Sequence, residues 1–315
     1  MLKVFRGGFS LAGFIWKEED MLKRLRVHLS LAGLIVLLLF PILGVAAPVN
    51  LNTWTAESYP AVSGFGAGVW TVSPSGDTVT QSVNGQPTLF YSDFNALGTD
   101  VRGQIRVSSS DGDDDFIGFA LGFQPGDTSN GAANYLLVDW KQGTQSFDFG
   151  VPSTTPRTTA LAGLAVSRVT GVPTADEFWG HTNFASHAGG GLMELARANT
   201  LGSSGYDDDV TYEFRFVFQP TSLQVSVDGV LELDITGSFA DGRLAFYNFS
   251  QAAVTYSAFS VDPAPMAPIP EPSTALLLVT GLIGIAVHVR RHRPNTTSQV
   301  ARENRGQRRK PSVSC

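Results

Sequence analysis

The chain has 315 residues, with 22 Lys and Arg against 28 Asp and Glu, a net charge of −6 and one cysteine, Cys315. Many of the arginines sit at the C-terminal end, so the central region is clearly acidic, which argues against nucleic acid and anionic membrane surfaces as partners. The cysteine is the last residue, so the region before it has no disulfide and is held by burial alone, as a region of about two hundred residues can be.

The N-terminus repeats itself. MLKVFRGGFSLAGFI from Met1 and MLKRLRVHLSLAGLI from Met21 match in Met-Leu-Lys, Arg, Ser-Leu-Ala-Gly and Ile. Either a short segment was duplicated or translation begins at Met21. Lys17, Glu18, Glu19 and Asp20 suit an apolar export core poorly, which favours Met21. Residues 1–20 are then a mis-assigned or duplicated N-terminus without a role. Residues 21–46 read as a secretory signal peptide, with Lys23, Arg24 and Arg26 ahead of the apolar run Leu29–Leu43. Small residues follow, and the expected cleavage is after Ala46, with Gly44 at the −3 position.

Residues 47–262 carry period-two alternation broken by turn signals, the pattern of an all-β domain. Val101, Gly103, Ile105 and Val107 share one face of a predicted strand. The denser runs Phe116 to Phe123 and Tyr135 to Trp140 suit central strands buried on both sides. Residues 152–205 are less regular, and a short helical turn is predicted near Leu192–Arg197. Tyr212, Phe214, Phe216 and Phe218 form the cleanest stripe. Leu223, Val225 and Val227, then Leu231, Leu233 and Ile235, flank Asp228-Gly229, a hairpin signal. Many short strands at this spacing predict a sandwich or jelly roll.

Four motifs in this region carry a family likeness. They are Asp113-Asp114-Asp115-Phe116-Ile117-Gly118-Phe119-Ala120-Leu121-Gly122-Phe123, Tyr135-Leu136-Leu137-Val138-Asp139-Trp140-Lys141-Gln142, Phe178-Trp179-Gly180-His181-Thr182 and Gly242-Arg243-Leu244-Ala245-Phe246-Tyr247-Asn248-Phe249-Ser250-Gln251. In this order they resemble the thrombospondin C-terminal domain over most of Val101–Val261. The resemblance implies a concanavalin A-like jelly-roll β-sandwich, calcium binding, and roles in adhesion or matrix. The cysteines and calcium-wire repeats that precede the domain in animal thrombospondins are absent from this sequence. The partner-binding properties of those proteins therefore do not carry over.

Candidate sites follow from residue type. Asp111, Asp113, Asp114 and Asp115 form an acidic run that meets the oxygen preference of Ca²⁺. As an EF-hand loop it fails, because Phe116 holds the position needing Gly and Gly122 the position needing Glu. A lectin-type site would add a carboxylate from elsewhere, for which Asp139 is the candidate. The alternative is a solvated loop whose charge protects a strand edge. Trp140 and Trp179 are candidates for stacking on sugar rings, against the alternative of core packing.

Enzymatic function finds less support. A retaining glycosidase needs two carboxylates roughly 5–5.5 Å apart. Glu232-Leu233-Asp234-Ile235-Thr236-Gly237 begins such a strand pattern and lacks the second Glu. His181 and His187 match no zinc or triad spacing, and His181 is expected to satisfy a loop backbone. No catalytic residues are assigned and the chain reads as non-enzymatic.

Residues 263–268 form a Pro-rich linker. Beyond it, Pro270 and Pro272 hold Glu271 on a stiff extended segment ahead of Ser273. As a helix, 274–289 reaches only about 24 Å, short of the roughly 30 Å hydrocarbon core. Arg290, Arg291 and Arg293 follow, able to snorkel and favouring a cytoplasmic end, which makes 294–315 a basic cytoplasmic tail. Residues 269–293 resemble the PEP-CTERM sorting signal of exosortase-processed bacterial surface proteins, although such signals usually stop soon after the basic cluster. A permanent tail anchor is the alternative. Taken with the domain resemblance, this predicts an exported protein that passes the inner membrane and is handed to an exosortase. At the cell surface or in the matrix it would bind carbohydrate in exopolysaccharide or biofilm. Its rivals are a glycoside hydrolase on the same fold and a structural surface protein without a specific ligand.

Overall fold

The computed structural model describes residues 46–62, 64–110, 112–150, 158–181 and 191–265. The duplicated N-terminus, the signal segment up to residue 45, Asp111, His187 and the sorting tail with its predicted span 274–289 lie outside the described residues. Among the described residues no helix is long and apolar enough to cross a membrane.

The strands run β1 (Ala47–Pro48), β2 (Thr55–Ser58), β3 (Trp70–Val72), β4 (Thr78–Gln81), β5 (Thr88–Asn95) and β6 (Thr99–Val107). They continue with β7 (Phe116–Phe123), β8 (Asn134–Lys141), β9 (Gln145–Phe147), β10 (Thr158–Ala160) and β11 (Gly163–Thr170). The helix α1 (Ala175–Gly180) precedes β12 (Leu192–Arg197). Last come β13 (Thr211–Gln219), β14 (Ser222–Val227), β15 (Val230–Thr236), β16 (Arg243–Phe249) and β17 (Val254–Pro263). One sheet has the order β15-β14-β13-β6-β17-β4-β3, with β1 beside β17. The other has the order β12-β11-β8-β7-β16-β5-β2, and β9 and β10 form a separate ribbon.

The two sheets close on an aromatic core built from the period-two stripes. Phe214, Phe216 and Phe218 are buried on β13, and Val101, Ile105 and Val107 on the neighbouring β6. Phe246 stacks on Tyr256 at 4.4 Å between ring centroids, and Phe119 meets Phe216 edge-on at 4.7 Å. Gly103 belongs to this arrangement because the ring of Phe259 lies where its Cβ would be, 2.3 Å away. Burial of this kind contributes about 25 cal/mol per Å² of apolar surface.

Strands β7 and β8 are buried on both faces, as their continuous apolar runs predict. Phe119, Leu121, Leu136, Val138 and Trp140 face the partner sheet. Phe116, Ala120, Phe123, Tyr135 and Leu137 face away from it into a second core, roofed by Tyr59, Phe149, Phe178 and Trp179. The less regular segment after β8 therefore does a specific job: it covers the outer face of a central sheet that would otherwise be exposed.

One local expectation changes. Leu192–Arg197 is an edge strand rather than a helical turn, laddered on β11 with an irregularity between Val166 and Ser167. Its Leu, Met, Glu and Ala content favours helix, but an open edge on β11 supplies backbone partners that a single isolated turn cannot. The helical turn lies instead at α1. Its start is marked in sequence by Thr174 and Glu177, which form a reciprocal capping box.

The hairpin is where it was expected, with Asp228 at φ 49° and Gly229 at φ 79°, the paired positive values a two-residue turn needs. Its register shifts between Val225 and Ser226. The bulge turns Leu231 outward and Glu232 inward, so that Glu232 and Leu233 are both buried while Asp234 is exposed.

Candidate functional site

The acidic loop ends where β7 begins, and oxygens of Asp113, Asp114 and Asp115 lie within 4.8 Å of one another. The ladder pairs Phe116, the first residue of β7, with Lys141, the last of β8. That register sets the lysine beside the acids. Lys141 Nζ is 2.6 Å from Asp115 Oδ1, 3.2 Å from Asp114 Oδ1 and 2.6 Å from the Asp114 main-chain oxygen. The lysine side chain is 0% exposed and that of Asp115 only 3%. The ammonium also lies 5.0 Å from the Trp179 ring centroid and 5.8 Å from that of Phe116.

Neutral donors complete the surroundings. The Gln145 amide, with its nitrogen toward the cluster, donates to Asp115 Oδ1 at 3.0 Å and Asp114 Oδ1 at 3.3 Å. Asn84 donates to Asp113 Oδ2. The Asp115 backbone N–H donates to Gln251 Oε1 at 2.8 Å, and Tyr206 donates to the Asp115 carbonyl at 2.8 Å. Burial pushes the Asp115 carboxyl up to about 7, against the pull of Lys141.

Calcium requires six to eight converging oxygens at about 2.3–2.6 Å. Here the converging groups are N–H donors, and an ammonium stands among the carboxylates. Of the expected calcium ligands, Asp113, Asp114 and Asp115 are brought together with Lys141 among them, and Asp111 lies outside the described residues. Asp139 does not join the cluster. It is buried on the outer face of the second sheet, its Oδ2 3.0 Å from His181 Nε2. His181 Nδ1 lies 2.5 Å from the Phe178 carbonyl oxygen, the backbone contact expected of it. Burial alone would lower the imidazole pKa, but Asp139 and the Phe178 carbonyl hold it above the ordinary value.

Neither tryptophan offers a face to a sugar. Trp140 is 1% exposed and sits between the sheets against Tyr206, Tyr212 and Phe214, its Nε1 donating to the Ser204 carbonyl at 2.7 Å. Trp179, also 1% exposed, is buried on α1 and packs on Phe116 and Phe149. Both indoles fill cores because their strands and helix have a covered side at those positions.

Glu232, the candidate acid, acts on the backbone instead. It accepts from the Thr200 N–H at 2.8 Å, the Leu201 N–H at 3.2 Å and the Thr200 hydroxyl. Burial raises its pKa, but these hydrogen bonds outweigh it and hold the carboxyl below the ordinary range. Replacing Glu232 with alanine should cost about 1–3 kcal/mol in a denaturant titration, since it orphans the loop donors. Because the folded pKa is depressed, this contribution is present above the unfolded value of about 4.3 and is lost as pH falls through the folded one. An alanine variant as stable as wild type at neutral pH would contradict the assignment.

The fold is an antiparallel β-sandwich whose acidic loop is paired with a buried lysine. Residues 66–264 match the thrombospondin C-terminal region, and the chain belongs to that family. Residues 268–291 match the PEP-CTERM protein-sorting motif, which indicates export and sorting to the cell surface. Thrombospondin-3b of Danio rerio is 27% identical over 203 residues, covering 60% of this chain and 20% of its own length. Thrombospondin-2 of Mus musculus is 26% identical over 204 residues, covering 60% and 16% respectively. The chain thus spans about a fifth or less of these curated relatives. Among solved structures, the carbohydrate-binding module CBM66 from Bacillus subtilis superposes with a TM-score of 0.41 at 10% identity, covering 70% of this chain and 99% of that one. The exoplasmic/lumenal domain of VIP36 in its Ca²⁺/Man3GlcNAc-bound form gives 0.42 at 10% identity, covering 73% and 91%.

Proposed function

We propose that this is an exported, non-enzymatic surface protein whose jelly-roll sandwich binds polysaccharide in the matrix around the cell. The observation that carries this reading is the sorting motif at 268–291, placed directly behind a β-sandwich that ends with β17. On this reading residues 21–46 export the chain, with cleavage after Ala46. The segment 274–289 then holds it in the inner membrane while an exosortase acts at Pro270-Glu271-Pro272-Ser273, with Arg290, Arg291 and Arg293 on the cytoplasmic side. The acidic domain suits uncharged glycan or exopolysaccharide better than polyanions. Calcium is not assigned a place at Asp113–Asp115.

The test compares the wild-type chain with one whose Pro270, Glu271 and Pro272 are replaced by alanine. Wild type should appear at the surface or in the medium with a shortened C-terminus, and the variant should stay membrane-associated and uncut. Wild-type protein on a glycan array, with a reducing-sugar assay alongside, should bind without cleaving. Identical processing of both chains would sink the sorting part of the proposal. Released reducing ends, or no glycan bound, would sink the binding part.

A further inference from the structure

The acidic loop poses an electrostatic problem that the fold has to solve. Three adjacent aspartates bring oxygens within 4.8 Å of one another, and Asp115 is almost wholly enclosed. Like charges this close repel strongly where the effective dielectric is low. A protein has two general remedies, a bound cation or a cationic side chain.

We infer that Lys141 is the built-in counter-ion of this loop, standing where a divalent cation would otherwise be needed, so that the domain keeps its stability when calcium is withdrawn. Three observations converge. An ammonium has three donors, and Nζ has three acceptors close by, at 2.6 Å, 3.2 Å and 2.6 Å, two of them carboxylate oxygens and one a main-chain carbonyl. The lysine is placed by the β7–β8 ladder, which pairs Lys141 with Phe116, so its position is a property of the sheet rather than of a flexible loop. Its stem is 0% exposed, with the rings of Phe116 and Trp179 beside the ammonium, so it cannot swing out to admit an ion without dismantling that packing.

The oxygens gathered around Nζ are nevertheless of the kind calcium prefers. With the ammonium removed and the stem kept, the carboxylates of Asp114 and Asp115 lose the cation that lies between them. Lys141→Met does this with little change in side-chain length.

Scanning calorimetry of the full exported protein, in millimolar calcium chloride and separately in excess chelator, tests the inference. The wild-type melting temperature should agree between the two conditions to within about 1 °C, well below the shift that 1 kcal/mol would produce. Lys141→Met should melt lower in chelator and recover several degrees in calcium. Titration calorimetry with calcium alone should show it binding about tenfold or more tightly than wild type, because a repelling charge has gone. A wild-type protein that loses several degrees on chelation overturns the inference. So does a Lys141→Met protein that ignores calcium, because the lysine would then not occupy an ion's place. If that variant fails to fold, Lys141→Met combined with Asp115→Asn removes charge from both sides. The wild-type comparison decides the first part of the claim unaided.

Discussion

Replacing Trp179 with alanine should lower the stability of the domain by about 3–5 kcal/mol, the range for deleting a large buried aromatic side chain. Trp179 touches Phe116, Phe147, Phe149 and Phe249, and its ring lies beside the Lys141 ammonium. The helix that carries it has six residues, too short to persist without tertiary packing. Losing the indole therefore opens a cavity in the second core and loosens α1 together. The indole N–H has no hydrogen-bond partner among the described residues, so no hydrogen bond is forfeited. Trp179→Phe should consequently recover most of the loss. Denaturant titration of the three proteins measures this. If alanine cost under about 1 kcal/mol while abolishing glycan binding, Trp179 would be a stacking platform after all.

Replacing His181 with alanine should cost a similar amount, about 3–5 kcal/mol, by stranding a buried carboxylate. Asp139 is 1% exposed and its charge partner is His181, the residue that caps the C-terminal end of α1. The groups facing this imidazole are Asp139 from β8 and the Phe178 carbonyl from α1. Glu194 from β12 acts at longer range and is itself paired to Arg197 at 3.0 Å.

The sign of the pH effect follows from the raised pKa of His181. The folded state holds the proton more tightly than the unfolded chain, whose imidazole titrates near about 6.5. The stabilisation is fully present below that value and is lost as pH rises through the folded pKa. Unfolding free energy measured upward from about pH 6 should therefore decline in wild type, and the decline should be shallower in His181→Ala, where only the raised Asp115 and Glu194 carboxyls still contribute to it. A wild-type profile that is flat or rises through that window would refute the pair's role.

Much of the sandwich is legible in the sequence because its determinants are local. The stripe Phe214, Phe216 and Phe218 alternates strictly, and a pleated strand sends alternate residues to one side. Asp228-Gly229 marks a two-residue hairpin because few other residues tolerate positive φ twice in succession. The continuous apolar runs of β7 and β8 announce burial on both faces, although not what would do the covering. The bulge at Glu232 is different, since nothing in the alternation of Leu231, Leu233 and Ile235 announces that Glu232 turns inward. Its reason lies at Thr200 and Leu201, whose N–H groups need an acceptor.

The candidate site divides in the same way. The acidic run and the sorting tail are strings of adjacent residues, readable as chemistry wherever the chain places them. What the acids do depends on Lys141, 26 positions from Asp115, and on a ladder register that no local pattern specifies. Asp139 was a reasonable metal ligand by type and became the partner of His181, 42 positions away, because α1 folds over its face of the sheet. Trp140 and Trp179 were ambiguous between surface and core for the same reason. Residue order sets strand, turn and charge, since those depend on neighbours along the chain. Only the packing of one sheet on another, and of α1 on the second, decided which charges meet and which rings are hidden, since burial and pairing are properties of residues distant in sequence.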